Sequence, residues 1–178
     1  MKIFNKTNIS KNYKNAALAI GNFDGVHLGH QKVFNRTKKI AKKKKIKFGV
    51  LTFTPLPVMF FNKKIKNYRL ASEIQKIKLF QKHKVDFVIN IKFNKFFFRI
   101  SAENFIKKII FKKLNAKLLI VSNNFKFGKN RKGDVSLLKK LSNKYDYKLL
   151  NVDPHKYSKK IVSSTKIRNL LKNGNIII

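Results

Sequence analysis

The chain has 178 residues, enough for one domain that buries its own core, and no cysteine, which excludes a disulfide scaffold, a zinc–thiolate centre and a cysteine nucleophile. Its formal net charge of +36 would suit a polyanion, but nearly all the basic residues are Lys, with Arg only at 36, 69, 99, 131 and 168. Phosphate clamps and base readers favour the bidentate Arg, so the surplus reads as the AT-rich coding that also enriches Asn, Ile and Phe, and no specific nucleic acid partner is expected.

Apolar periodicity alternates between short buried runs and longer amphipathic ones. Ala16 to Ile20 reads as a first buried strand, followed by a glycine-rich turn and a helix from about His30 to Lys44. Lys47 to Phe53 is a second strand, and the connection after it carries Pro55 and Pro57, which argue against regular structure there. Ser72 and Gln75 form a capping box for a helix to about His83, and Asp86 to Ile91 is a third strand. Ser101 caps a helix reaching Phe111 or beyond, and Lys117 to Ser122 is a fourth strand. Asp134 caps a helix to about Tyr145, Tyr147 to Val152 is a fifth strand, and a last helix runs from Ser164 to near Gly174.

Strands alternating with helices imply right-handed crossovers and a parallel sheet covered on both faces. The expected fold is therefore α/β, a Rossmann-like, doubly wound parallel sheet of five strands, with residues 1–178 forming one domain. Ligands in such sheets bind beyond the carboxyl ends of the strands, where strand order reverses. That rule selects the loops after the first, second and fourth strands and the start of the last helix. No stretch approaches the roughly 18 apolar residues of a membrane span, and the first twenty residues hold only the short run AALAI. The expectation is a cytoplasmic protein without a membrane partner. The sequence fixes no oligomeric state.

The first loop reads GNFDGVHLGH, Gly21 to His30. Gly21, Gly25 and Gly29 allow tight turning and close approach of backbone to a ligand. His27 and His30 are three apart at a helix start, so both can face one bound group and donate to phosphate oxygens. The helix N-terminus adds unpaired N–H groups and a partial positive charge. If one phosphate attacks another, no protein nucleophile is needed, and catalysis is positioning plus charge stabilisation. Asn22, Phe23 and Asp24 complete the loop, where Asp24 reads as a residue that hydrogen-bonds the turn.

A second constellation is SSTKIR, Ser163 to Arg168. Ser163, Ser164 and Thr165 can cap a helix or bind phosphate, and Arg168 can supply a charge-assisted clamp. The residues alone leave open which phosphate accepts the nucleotide, with phosphopantetheine and nicotinate mononucleotide as options. They also leave open a non-catalytic fold that only binds nucleotide or RNA. His83 and His155 read as structural, and Phe60 and Phe61 as local core or, alternatively, as rings that stack on a bound planar ligand. Phe96 to Phe98 reads as a hydrophobic plug or a place where two copies touch.

GNFDGVHLGH, RLAS at Arg69, SAENF at Ser101, FKFG at Phe125 to Gly128, KGD at Lys132 to Asp134, and SSTKIR follow one another along nearly the whole chain. In order and spacing they resemble the FMN adenylyltransferase module of the bacterial bifunctional FAD synthetases, within the HxGH nucleotidylyltransferase superfamily. The resemblance implies a nucleotidylyltransferase-type fold and the reaction of ATP with FMN to give FAD and pyrophosphate, with Mg²⁺ carried by ATP. It places His27, His30, Ser164, Thr165 and Arg168 on the ATP phosphates, and Asn124, Phe125, Phe127 and Gly128 along the flavin. Three departures stand out. Where the family usually reads FEPHP, this chain has Thr54 and Leu56 in place of the carboxylate and the imidazole, Ser122 replaces a Gly, and no riboflavin kinase module follows. Riboflavin phosphorylation is therefore not expected of this chain.

Overall fold

The computed structural model describes residues 1–65, 68–158 and 160–174. Six parallel strands form one sheet: β1 (Lys2–Phe4), β2 (Ala17–Ile20), β3 (Phe48–Thr54), β4 (Phe87–Lys92), β5 (Leu118–Ser122) and β6 (Lys148–Val152). Their order is β1-β4-β3-β2-β5-β6. All five expected strands are present. The sixth, β1, pairs with β4 at the sheet edge.

The helices are α1 (Leu28–Lys43), α2 (Pro57–Phe61), α3 (Glu73–Lys82), α4 (Lys95–Phe98), α5 (Ala102–Asn104), α6 (Val135–Leu141) and α7 (Ser164–Lys172). α5 runs without a break into a π-helix (Phe105–Leu114). A two-strand ribbon, β7 (Lys156–Tyr157) and β8 (Lys160–Ile161), leads into α7. The expected capping box is formed, with Ser72 Oγ accepting from Gln75 N–H and Gln75 Oε1 accepting from Ser72 N–H. The segment after β3 is less irregular than its prolines imply. Pro57 stands in the first turn of α2, where a missing N–H is harmless, so it starts a helix there.

β2 shows why the sheet is sandwiched. Its four residues are all buried, and they alternate between two cores. Leu18 and Ile20 join Leu51, Ile89 and Leu119 under the π-helix residues Ile106, Ile109 and Ile110. Ala17 and Ala19 join Val50, Val88 and Ile120 under Phe34 of α1 and Phe80 of α3. Alanines on the second face let α1 approach closely, which aims its N-terminus past the carboxyl end of β2. The chain lays down β3 and β4 on one side of β2, then β5 and β6 on the other. Strand order thus reverses between β2 and β5. Among the described residues no helix is long and apolar enough to cross a membrane.

Candidate active site

The loop leaving β2 opens at this reversal. Gly21 still belongs to the sheet, its N–H donating to Leu51 O at 3.1 Å. Phe23 then adopts a left-handed conformation (φ 49°) that turns its ring inward. The ring packs on Phe34 at 4.8 Å between centroids and lies edge-on to His30 at 5.2 Å. Phe23 is 3% exposed, so it anchors the loop, and a ligand can meet little beyond its backbone. The exposed Asn22 is held from below, because Thr52 Oγ1 donates to its carbonyl at 3.0 Å. Gly25 has φ +73°, and a Cβ there would stand 2.8 Å from Leu70 Cβ.

His27 occupies the N-cap position of α1, and its carbonyl accepts from the N–H groups of His30 (2.7 Å) and Gln31 (3.0 Å). The two imidazoles stack, with centroids 3.7 Å apart and planes inclined by 23°. Nδ1 of each ring is buried without a partner, a rare state for a polar atom. Burial, with His27 alongside, pushes His30 down to about 3. Burial also lowers His27, helped by Arg168 and opposed by Asp24. At neutral pH both rings are therefore uncharged, each with one N–H to donate. They can bind an anion as a pair of neutral dipoles beside the positive end of α1.

α7 brings the second constellation to the same place. Ser163 caps it, accepting from Lys166 N–H at 3.2 Å, and Ser164 Oγ donates to Asp24 O at 3.2 Å. Thr165 is exposed beside them. A Cβ on Gly29 would lie 3.1 Å from the His27 ring and 3.5 Å from Val162 O, so the starts of α1 and α7 abut. Two helix N-termini thus converge on one spot, an arrangement whose unpaired N–H groups suit an anion.

Asp24 is the node that ties these pieces. It is 3% exposed, and its carboxylate accepts from Leu70 N–H (3.0 Å), Ala71 N–H (3.3 Å) and Arg168 Nη2 (2.6 Å). The expectation that Asp24 hydrogen-bonds its own turn is corrected, since its partners come from two distant segments. Arg168 Nε donates to Tyr68 O at 2.7 Å, and the guanidinium lies over the Tyr68 ring at 3.8 Å. Three of its five N–H donors have no partner among the described residues. Arg168 is therefore held in a fixed orientation with donors to spare.

The FKFG segment follows β5 on the other side of the reversal. Phe125 and Phe127 stack at 5.4 Å and 16°, and Phe127 exchanges backbone hydrogen bonds with Gly133. Gly128 backs onto Ala102, and Lys129 N–H donates to Ile100 O at 2.7 Å. Asn124 is exposed, its Oδ1 accepting from the Ser122 hydroxyl at 2.8 Å, so Ser122 closes the turn after β5. The Thr54 hydroxyl sits between Glu73 and Asn90 at 3.1 and 2.9 Å, and Leu56 is buried. Phe60 and Phe61 join Phe93 and Phe98 in an aromatic cluster, while Phe96 projects into solvent at 80% exposure.

Sequence reasoning missed Thr52, Tyr68 and Lys76. Lys76 interrupts the buried stripe of α3 one turn before Phe80, the one local signal available, but a lysine-rich chain hides it. Among the described residues no three His, Asp or Glu side chains group as metal ligands. A cleft of about 830 Å³, lined by Asn15, Leu118, Lys148 and others, opens at the amino ends of the strands. That is the wrong end for a ligand of a parallel sheet.

A family model described as FAD synthetase matches residues 9–166. A bifunctional riboflavin kinase/FMN adenylyltransferase of Buchnera aphidicola subsp. Schizaphis graminum is 44% identical over 170 residues, covering 95% of this chain and 54% of that protein. An FAD synthetase of Listeria monocytogenes serovar 1/2a is 32% identical over 168 residues, covering 93% of this chain and 67% of that protein. The chain thus spans about half the length of the bifunctional relatives it matches. A solved structure described as a macrolide-efflux protein from Streptococcus pneumoniae superposes with a TM-score of 0.80 at 23% identity, over 94% of this chain and 54% of that one. A pantoate-β-alanine ligase from Francisella tularensis, solved with β,γ ATP and β-alanine, gives 0.55 at 14% identity, over 99% and 74%. Both structural likenesses are of fold.

Proposed function

The chain belongs to the FAD synthetase family, and on that premise we propose that it is a cytoplasmic enzyme that transfers the adenylyl group of ATP to FMN, forming FAD and releasing pyrophosphate. In this reaction an FMN phosphate oxygen attacks the α-phosphorus, and the bond to the bridging oxygen of pyrophosphate breaks. The observation that carries the reading is the stacked, uncharged His27–His30 pair where the N-termini of α1 and α7 meet. Each ring donates one hydrogen bond to the triphosphate, and the helix ends and Arg168 supply the positive charge. Gly21, Asn22, Gly25 and Gly29 let the loop backbone approach ATP. Ser163, Ser164 and Thr165 offer the hydroxyls and N–H groups of the opposite wall. The stacked Phe125–Phe127 pair and Asn124 border the flavin side, with Gly128 turning the loop.

A resident metal does not fit the residues present, since the Asp24 carboxylate, the one in the phosphate loop, is already taken by Leu70, Ala71 and Arg168. Mg²⁺ belongs instead with ATP, whose phosphates neutral imidazoles do not neutralise. The test is direct. Purified protein given ATP, Mg²⁺ and FMN is expected to accumulate FAD, read by chromatography, with one pyrophosphate per turnover. Absence of both products would overturn the assignment.

A further inference from the structure

Lys76 is 2% exposed, although Lys is almost never fully buried unless paired. Its Nζ lies 3.4 Å from Thr52 Oγ1 and 3.7 Å from Glu73 Oε1. That Glu73 oxygen is shared, being ion-paired with Arg69 and hydrogen-bonded to Thr54 at 3.1 Å. Lys76 therefore has only part of a counterion. The charged groups around it are Arg69 and Glu73 beside and on α3, and Asp24 of the loop. Burial pushes its ammonium down to about 8, Arg69 adds to the shift and Asp24 opposes it.

The polarity of the hydrogen-bond chain shows what the charge does. The Asn22 carbonyl can only accept, so the single Thr52 hydroxyl hydrogen points at it. The Lys76 ammonium can only donate, so it takes a Thr52 lone pair and keeps that hydrogen on Asn22. A neutral amine could accept the same hydrogen and release the carbonyl. Thr52 is itself fully buried, so no water substitutes for either partner.

We propose that Lys76 is a positioning residue that acts through Thr52: it fixes the Asn22 peptide at the mouth of the phosphate loop, and its part-compensated charge favours a polyphosphate there. The inference rests on ATP being the ligand of that loop. It makes an unusual demand, because a buried charge destabilises the fold while serving the site.

Lys76→Met keeps the length and removes the charge. It is expected to raise Tm by roughly 3 °C and to raise KM for ATP about tenfold, with KM for FMN unchanged. Wild-type affinity for a non-hydrolysable ATP analogue, titrated calorimetrically with Mg²⁺, should fall between pH 7 and 9.5. In Lys76→Met that fall should vanish. Thr52→Val approaches the pair from the other side and should give a similar ATP defect, with the double variant no worse than either single one. A Lys76→Met protein with wild-type ATP affinity, or additive effects of the two substitutions, overturns the proposal. Wild-type protein that binds the analogue but makes no FAD overturns only the choice of acceptor. Wild-type protein that binds no ATP overturns both readings.

Discussion

The two imidazoles of the loop after β2 keep their Nδ1 atoms buried and unpartnered, which is tolerable only while the rings are neutral. In the unfolded chain His30 takes up a proton near pH 6.5, whereas in the folded protein it resists protonation down to about 3. The unfolded state thus binds the extra proton in that window. Stability is fully present above pH 6.5 and is lost as pH falls toward 3. His30→Asn should flatten this acid limb, measured by urea unfolding at a series of pH values. His30→Ala should lower the rate of FAD formation at least about 100-fold, since in the proposed reaction it removes a donor to the developing charge. Asp24→Ala should cost about 3 kcal/mol of stability, because it leaves Arg168 half-buried and unpaired. His27 and His30 were legible in the sequence because their spacing at a helix start is a local property. The partners of Asp24 were not, since they lie 46 and 144 residues away and no local pattern encodes them.

The secondary elements carry the site by where they begin. α1 and α7 matter through their first turns, which converge, and α3 matters through a single inward lysine. Gly25→Ala tests the join between the loop and the segment before α3. Its φ of +73° and the 2.8 Å approach to Leu70 Cβ give an expected loss of about 1–3 kcal/mol, read as a lower Tm, and weaker ATP binding. Buried strands and capped helices were legible because apolar runs and caps such as Ser72, Ser101 and Asp134 are written locally. β1 was not, because Lys2–Phe4 is three residues long, mostly exposed, and is a strand only by pairing with β4. α2 was hidden by the opposite error: Pro57, read as a breaker, stands at a helix start.

At the scale of the molecule, a formal charge of +36 puts like charges over the whole surface. Their repulsion opposes compaction and their field draws in anions, the proposed substrate ATP among them, and salt weakens both. Raising NaCl from about 20 mM to about 500 mM, which shortens the screening length several-fold, should therefore raise Tm while raising KM for ATP. The reversal of strand order between β2 and β5 could be anticipated from alternation alone, but which side chains meet across it could not. The contact between Asp24 and Arg168 spans 144 residues. On a ribosome adding about 5–20 residues per second, the loop that begins the site waits roughly 7–30 s for the helix that completes it. Through that interval the nascent chain has only one wall of the cleft proposed for ATP, so the nucleotide would stabilise the fold only after α7 has been made. On the proposed function ATP would act as a late inspector of folding, and a chain truncated before α7 would lack that protection.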